Sequence, residues 1–321
     1  MARWLELSAD YRCNNRCQGC FSVDDAGPSM TTAEAIETLR FHRERGAEWL
    51  WLGGGEPTLR RDLFALVGAA RDLGFSRVRL QTNGMLLAYP QFARRCFEAG
   101  VSEISFGLRS ATAQTHDRLT RTPGSFDLLV RGIAEWKKLG RPMEGDVLLY
   151  RSNLPELPEI VRTFHDLGLA RFSLWLFSTT DTSDASLDAE VPRIQDAMAE
   201  IARTMALRID DDATRFITSL HTPPCTVPEE CKNAIFFPAE LDLVVANTGG
   251  HHFRLETSPI EGGHYTPRCA ACAMRPRCNG ARRDYVRIHG DAELQPLPKP
   301  RAPELDGAGA PFFARDRGPA V

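Results

Sequence analysis

Short apolar runs alternate with amphipathic stretches through the first half of the chain. Six of these runs have the length and composition of buried strands, and they cover Trp4–Leu7, Glu48–Leu52, Val78–Gln81, Glu103–Leu108, Asp146–Tyr150 and Arg171–Leu176. Between them apolar residues recur at helical spacing, as at Leu157, Val161 and Phe164. Strands that alternate with helices form right-handed βαβ units around a parallel sheet. The pattern predicts an α/β fold, a partial (β/α)6 TIM-like barrel.

The helix signals between the strands are clear at two places. Thr31 or Thr32 can serve as the N-cap of a helix that runs to about Gly46. A later helix is predicted over 189–207, with its methionines in the core. The polar residues 177–188 follow the sixth strand, where they would form either a lid over the strand ends or a solvated linker.

The composition of the chain changes twice after the barrel pattern. We predict a barrel over 1–210, a small domain of short strands and cysteines over 211–290, and a Pro/Gly-rich tail over 291–321. The net charge of −3 gives no reason to expect nucleic-acid binding. Without a membrane-length apolar stretch or a signal-peptide pattern, we expect a cytoplasmic protein with no membrane partner.

Nine cysteines fall into two groups, with Cys96 alone between them. Grouped cysteines in a cytoplasmic protein are typical of metal ligands rather than disulfides. Cys13, Cys17 and Cys20 have the spacing C-x3-C-x2-C directly after the first strand. Three thiolates on one loop can hold three irons of a cubane cluster and leave the fourth iron open to a small molecule. Part of a zinc site, or ordinary thiols, are the alternatives.

The cysteine spacing resembles the C-x3-C-x-aromatic-C signature of radical S-adenosylmethionine (SAM) enzymes, whose fourth iron binds the amino and carboxylate groups of SAM. The chain departs from this signature at the aromatic position, which is Gly19, and Phe21 follows the last cysteine instead. The segment after the second strand consists of Gly54, Gly55, Glu56 and Pro57. It matches the GGEP motif of this family, which binds the SAM amino group. Glycines there would let the backbone approach a ligand closely.

Further polar residues lie at positions that contact SAM in this family. They are Thr82 and Asn83 in a turn after the third strand, Ser105 on the fourth, Asn153 after the fifth, and Arg121. Trp175, near the end of the sixth strand, could pack on adenine or simply fill the barrel. For Ser105, Asn153 and Arg121 the alternative is an ordinary polar residue of the rim. The motif residues follow the strands, and the carboxyl ends of barrel strands are where active groups lie.

The second cysteine group has the spacing C-x2-C-x5-C at Cys269, Cys272 and Cys278. It resembles the auxiliary-cluster segment of radical SAM enzymes with SPASM or shortened twitch extensions, which implies a small C-terminal auxiliary-cluster domain with one 4Fe–4S cluster. We prefer Cys225 as the fourth ligand, because two prolines lead its thiol rigidly into the site. Cys231 then has a free thiol, either a catalytic hydrogen-atom donor or a spare ligand. A zinc knot held by four cysteines is the alternative.

The resemblance implies two 4Fe–4S clusters, one of which binds SAM, and a flavodoxin- or ferredoxin-type reductant. It further implies reductive cleavage of SAM to a 5′-deoxyadenosyl radical that abstracts a substrate hydrogen, as in an oxidoreductase acting on a small metabolite or a peptide. Because the cysteine loop begins at residue 13, we expect no separate leader-recognition domain, which slightly favours a small metabolite. The alternatives are an enzyme that cross-links or epimerises ribosomal peptides, and a non-enzymatic iron–sulfur or zinc-binding protein.

Overall fold

The computed structural model describes residues 3–20, 28–179, 185–207, 217–220, 222–234, 241–258 and 263–298. Nine strands form one sheet in this part of the chain. They are β1 (Trp4–Ser8), β2 (Trp49–Leu52), β3 (Arg77–Thr82), β4 (Glu103–Leu108), β5 (Met143–Leu149), β6 (Arg171–Leu176), β7 (Ile217–Leu220), β8 (Leu243–Asn247) and β9 (His252–Arg254). The order across the sheet is β7-β6-β5-β4-β3-β2-β1-β8-β9, and only β8 and β9 pair antiparallel.

Helices separate the strands as predicted. They are α1 (Thr32–Glu44), α2 (Leu63–Asp72), α3 (Pro90–Ala99), α4 (Ala113–Thr120), α5 (Ser125–Lys137), α6 (Leu157–Leu167), α7 (Ile194–Met205) and α8 (Arg283–His289). The start of α1 is fixed by a capping box, in which Thr31 accepts from the backbone of Glu34 and the Glu34 carboxylate accepts from the backbone of Thr31. None of the described helices is long and apolar enough to cross a membrane.

The six predicted strands are all present and in parallel register, and the open α/β sheet is confirmed. The structure differs from the prediction after residue 210, because three further strands from that region join the same sheet. There β7 extends the sheet beyond β6, while β8 pairs parallel with β1 at the other side. Sequence pattern predicts short strands here but cannot tell which edge they join, because their partners are far away in the chain.

Helix α7 begins later than predicted. Residues 185–190 form a 3-10 helix, and the α-helix starts only at Ile194. Pro192 explains the break, because a proline disfavours helical backbone at the residue before it.

The two faces of the sheet are filled differently. One face is apolar and packs on the helices, with Leu5, Leu50 and Leu80 all fully buried. On the opposite face Trp4 and Trp51 pack together with buried ion pairs, so this side holds charge as well as apolar surface. The loops at the carboxyl ends of the strands remain as the place where a site can form.

Candidate functional site

The first cysteine loop follows β1 at the carboxyl edge of the sheet. Cys17 is buried, and Cys13 and Cys20 are half-buried. Burial raises the pKa of Cys13 to about 12. Burial also raises the pKa of Cys17, although the positive charge of Arg109 partly opposes that shift. Such thiols become thiolates only beside a strongly positive partner, which is the condition that a metal centre supplies.

The glycines of the GGEP segment pack on the cysteine loop itself. The N–H of Gly55 donates to the carbonyl of Asp10 at 2.9 Å, and the N–H of Glu56 donates to the carbonyl of Arg12 at 2.8 Å. A Cβ built on Gly55 would lie 2.5 Å from the carbonyl oxygen of Tyr11, too close for any side chain. The close approach that the sequence predicts here is therefore made to the loop that carries the cysteines.

Glu56 joins the two predicted SAM motifs. Its carboxylate, 2% exposed, accepts from the Thr82 hydroxyl and the Asn83 N–H, both at 2.7 Å, and from the Thr58 N–H at 3.1 Å. Burial raises the pKa of Glu56, while these hydrogen bonds oppose the shift. Asn83 in turn donates from Nδ2 to Oδ1 of Asn14 at 2.7 Å. The turns after β2 and β3 are thus locked to each other and to the cysteine loop.

Ser105 and Trp175 meet at a residue that the sequence reading missed, Asp146. The Ser105 hydroxyl donates to Asp146 at 2.5 Å, Gln81 donates to it at 2.9 Å, and Trp175 lies beside it. Burial raises the pKa of Asp146. The sequence offered one sign of this residue: Asp146 is a single acidic residue in the otherwise apolar run after Gly145.

Asn153 and Arg121 have different environments. Asn153 is fully buried; its Nδ2 donates to the carbonyl of Arg109 at 2.6 Å, and its Oδ1 accepts from the N–H of Tyr150 at 2.7 Å. It therefore braces the loops after β4 and β5. Arg121 is exposed, caps α4 with φ 51°, and follows Thr120, whose carbonyl accepts from the N–H of Arg16.

Arg109 is a second residue that the sequence reading missed. It follows β4 directly, and its guanidinium lies beside Cys17, Cys20 and Tyr150. An arginine immediately after a buried strand, at the predicted rim, was the signal that could have identified it.

Four C-terminal cysteines line one pocket, and they are Cys225, Cys269, Cys272 and Cys278. Burial raises the pKa of Cys225 and that of Cys278, each to about 11. Cys231 lies elsewhere: it is fully buried, and its thiol points at the carbonyl of Met198 in α7. The structure thus brings Cys225 to the group and leaves Cys231 in the core.

The segment 177–188 is fixed to α8 at both of its described ends. The carboxylate of Asp284 accepts from the Ser178 hydroxyl at 2.8 Å and from the Thr179 N–H at 2.7 Å, and Arg287 pairs with Asp188. Residues 180–184 lie outside the described residues, as do Phe21, Asp210 and most of the predicted tail.

Comparison with known proteins agrees with this geometry. Residues 10–164 match the family model described as Radical SAM superfamily. An AdoMet-dependent heme synthase of Methanosarcina barkeri is 31% identical over 193 residues, which is 59% of this chain and 55% of that protein. A probable GTP 3′,8-cyclase of Methanopyrus kandleri is 33% identical over 168 residues, 51% of this chain and 53% of that protein. The chain spans about half the length of these curated relatives.

The fold is shared with SuiB of Streptococcus suis. The crystal structure of SuiB bound to S-adenosylmethionine superimposes with a TM-score of 0.67 at 13% identity, covering 92% of this chain and 76% of SuiB. A second SuiB structure, bound to the precursor peptide SuiA, has a TM-score of 0.61. Residues 10–164 are thus similar to the Radical SAM superfamily, and the described fold resembles that of SuiB.

Proposed function

We propose that this chain is a radical SAM enzyme whose first cluster is held by Cys13, Cys17 and Cys20. The observation that carries the proposal is a set of hydrogen bonds within the matched residues 10–164. In it Asn83 donates both to Glu56 and to Asn14 of the cysteine loop. Bound there, the cluster and SAM would supply a 5′-deoxyadenosyl radical that abstracts a hydrogen atom from the substrate. Buried thiols of raised pKa suit a metal centre, since metal binding stabilises the thiolate that burial disfavours.

The chain's own residues would position and shield these groups. We propose that the Gly54–Pro57 backbone, Thr82 and Asn83 border SAM. Glu56, Ser105 and Asn153 already make hydrogen bonds within the protein, so we assign them to holding the loops in place. We propose that the exposed Arg121 binds the SAM carboxylate. We also propose that Trp175 packs on the adenine ring.

We further propose one auxiliary 4Fe–4S cluster on Cys225, Cys269, Cys272 and Cys278, in a twitch-like region within 211–290. These thiols face a common pocket, which is what four ligands of a cubane require. Among the described residues no three His, Cys, Asp or Glu side chains come close enough to hold a single metal ion. A pocket lined by spaced thiols suits a cluster better than a tetrahedral zinc ion.

We propose a small metabolite as the substrate and a flavodoxin- or ferredoxin-type protein as the electron donor. The relatives named for heme synthesis and GTP cyclisation support a small molecule. A peptide substrate is the second candidate, because the SuiB structure with a precursor peptide has the same fold.

The test is anaerobic reconstitution followed by iron counting and a 5′-deoxyadenosine assay with dithionite and SAM. We expect about eight irons per chain, as two cubane clusters require. Cys17→Ser should lose about four irons and all deoxyadenosine formation, whereas Cys272→Ser should lose about four irons and still cleave SAM. Cys231→Ser and Cys96→Ser are matched controls, because both thiols are buried in the core away from these groups. Zinc in place of iron, with no SAM cleavage, would refute the proposed function.

A further inference from the structure

Gly19 has no room for the aromatic side chain that the radical SAM signature places before the last cysteine. Its φ is 68°, a conformation that strains any residue with a Cβ. A Cβ built there would lie 2.5 Å from Cζ of Phe177 and 3.3 Å from Cδ1 of Leu187. The space next to position 19 is therefore filled by a ring that comes from the end of β6.

The Phe177 ring is held rigidly in that position. It is 3% exposed, and its N–H donates to the carbonyl of Leu149 at 2.9 Å, which continues the pairing of β6 with β5. Its centroid lies 4.6 Å from that of Tyr150. The Tyr150 hydroxyl donates to the carbonyl of Gln18 at 2.8 Å, so the two rings together cover the turn between Cys17 and Cys20.

Phe177 also lines a pocket together with Val191, Ile194 and Tyr285. The ring therefore lies between this pocket and the cysteine loop. Truncating the ring would leave a cavity beside the Cys17–Cys20 turn.

We infer that Phe177 replaces, in space, the aromatic residue that the signature carries at position 19. Phe177 is a positioning residue: it fixes the Cys17–Cys20 turn and keeps water from the cluster side of the loop. In this chain the aromatic ring comes from the end of β6 rather than from the cysteine loop. Glycine at position 19 leaves the space that the Phe177 ring occupies. This role in cluster retention rests on the proposed function, whereas the packing relation does not.

The packing relation is tested first on the metal-free full chain with a double-mutant cycle. Gly19→Ala should raise the unfolding equilibrium constant at least tenfold more in the native background than in the Phe177→Ala background, because the ring that the new Cβ would strike is then gone. Equal effects of Gly19→Ala in the two backgrounds would overturn the inference.

The role in cluster retention is tested by iron release from the reconstituted protein to a chelator, and by the change that SAM causes in the electron paramagnetic resonance spectrum of the reduced cluster. Phe177→Ala should release iron several-fold faster and weaken the SAM-dependent change. The matched control is Phe164→Ala, which removes an equally buried ring from α6. Gly19→Phe combined with Phe177→Ala returns the ring to the loop and should restore retention in part.

The outcomes separate the two proposals. Identical iron release by Phe177→Ala and Phe164→Ala would overturn the role of Phe177 in holding the cluster. If the unsubstituted chain takes up no iron at Cys13, Cys17 and Cys20 while the Gly19–Phe177 coupling is present, the proposed function fails and the packing relation is supported.

Discussion

His116 is a buried histidine in α4, 2% exposed, whose ring lies 5.5 Å from that of Phe126. Burial lowers its pKa to about 4, and the positive charge of Arg109 acts in the same direction. His42 is buried beside β9, with its Nε2 3.1 Å from Nδ1 of His252. Burial lowers the pKa of His42 to about 4 as well. Both rings are therefore neutral in the folded protein at pH values where the unfolded chain would protonate them.

This difference predicts a loss of stability in mild acid. Because the folded pKa lies below the unfolded value of 6.5, the stabilisation is complete above pH 6.5 and is lost as the pH falls towards 4. Full loss would amount to about 3 kcal/mol per histidine. Urea unfolding at pH 7 and pH 5 measures it, and His116→Phe should reduce the difference between the two pH values by about half, because His42 still contributes. A flat profile in the unsubstituted chain would contradict the prediction.

Among the elements, β3, β4 and β5 are joined across one face of the sheet by buried charges. Arg79, 1% exposed, pairs with Glu103 and with Glu144, at 2.8 Å each. Burial alone would raise the pKa of Glu103, but Arg79 and Arg77 outweigh it and lower that pKa. Burial raises the pKa of Glu144. The Arg79 guanidinium thus links side chains from three neighbouring strands.

Removing the cation should therefore be costly. Arg79→Met removes the cation that the two carboxylates share and leaves Glu103 with Arg77 and Glu144 with Arg171. We expect a loss of about 1.5–3 kcal/mol in the free energy of unfolding, the range for hydrogen bonds to charged groups. The control is Arg162→Met, which breaks an exposed pair with Glu159 and should cost less than about 0.5 kcal/mol. A loss below about 1 kcal/mol for Arg79→Met would show that the Arg79 ion pairs do not bear on stability.

The strand and helix pattern was readable from the sequence because apolar periodicity is local. Six strands, the cap at Thr31 and the turns after β2 and β3 all follow from residues close together in the chain. The contacts that complete the site are not local. Arg109 beside Cys17, Asp146 under Ser105, and Phe177 over Gly19 each join segments far apart in sequence, and no spacing rule relates them.

In the whole molecule the C-terminal region is built onto the barrel at several places. β8 pairs with β1 over five residues, and α8 is fixed to the end of β6 through Asp284. The Tyr285 hydroxyl donates to Glu293 and accepts from the N–H of Ile194, at the start of α7. The C-terminal region thus contacts the end of β6, where Phe177 and Pro223 line one pocket.

Asp284 is the contact that makes this connection testable. Asp284→Asn replaces one acceptor oxygen by a donor that faces the Ser178 hydroxyl and the Thr179 N–H, so we expect to lose hydrogen bonds of about 1.5–3 kcal/mol. Hydrogen exchange should increase at residues 178–179 and in α8, while β1 to β5 remain protected. In protein reconstituted with the proposed auxiliary cluster, removing the iron with a chelator should add to this increase around 263–298, since metal binding and local folding are coupled. Asp291→Asn, which loses only an exposed pair with Arg268, is the matched control. Unchanged exchange in Asp284→Asn would contradict the prediction and mean that the other contacts, such as the β8–β1 pairing and the Tyr285 hydrogen bonds, hold the C-terminal region in place.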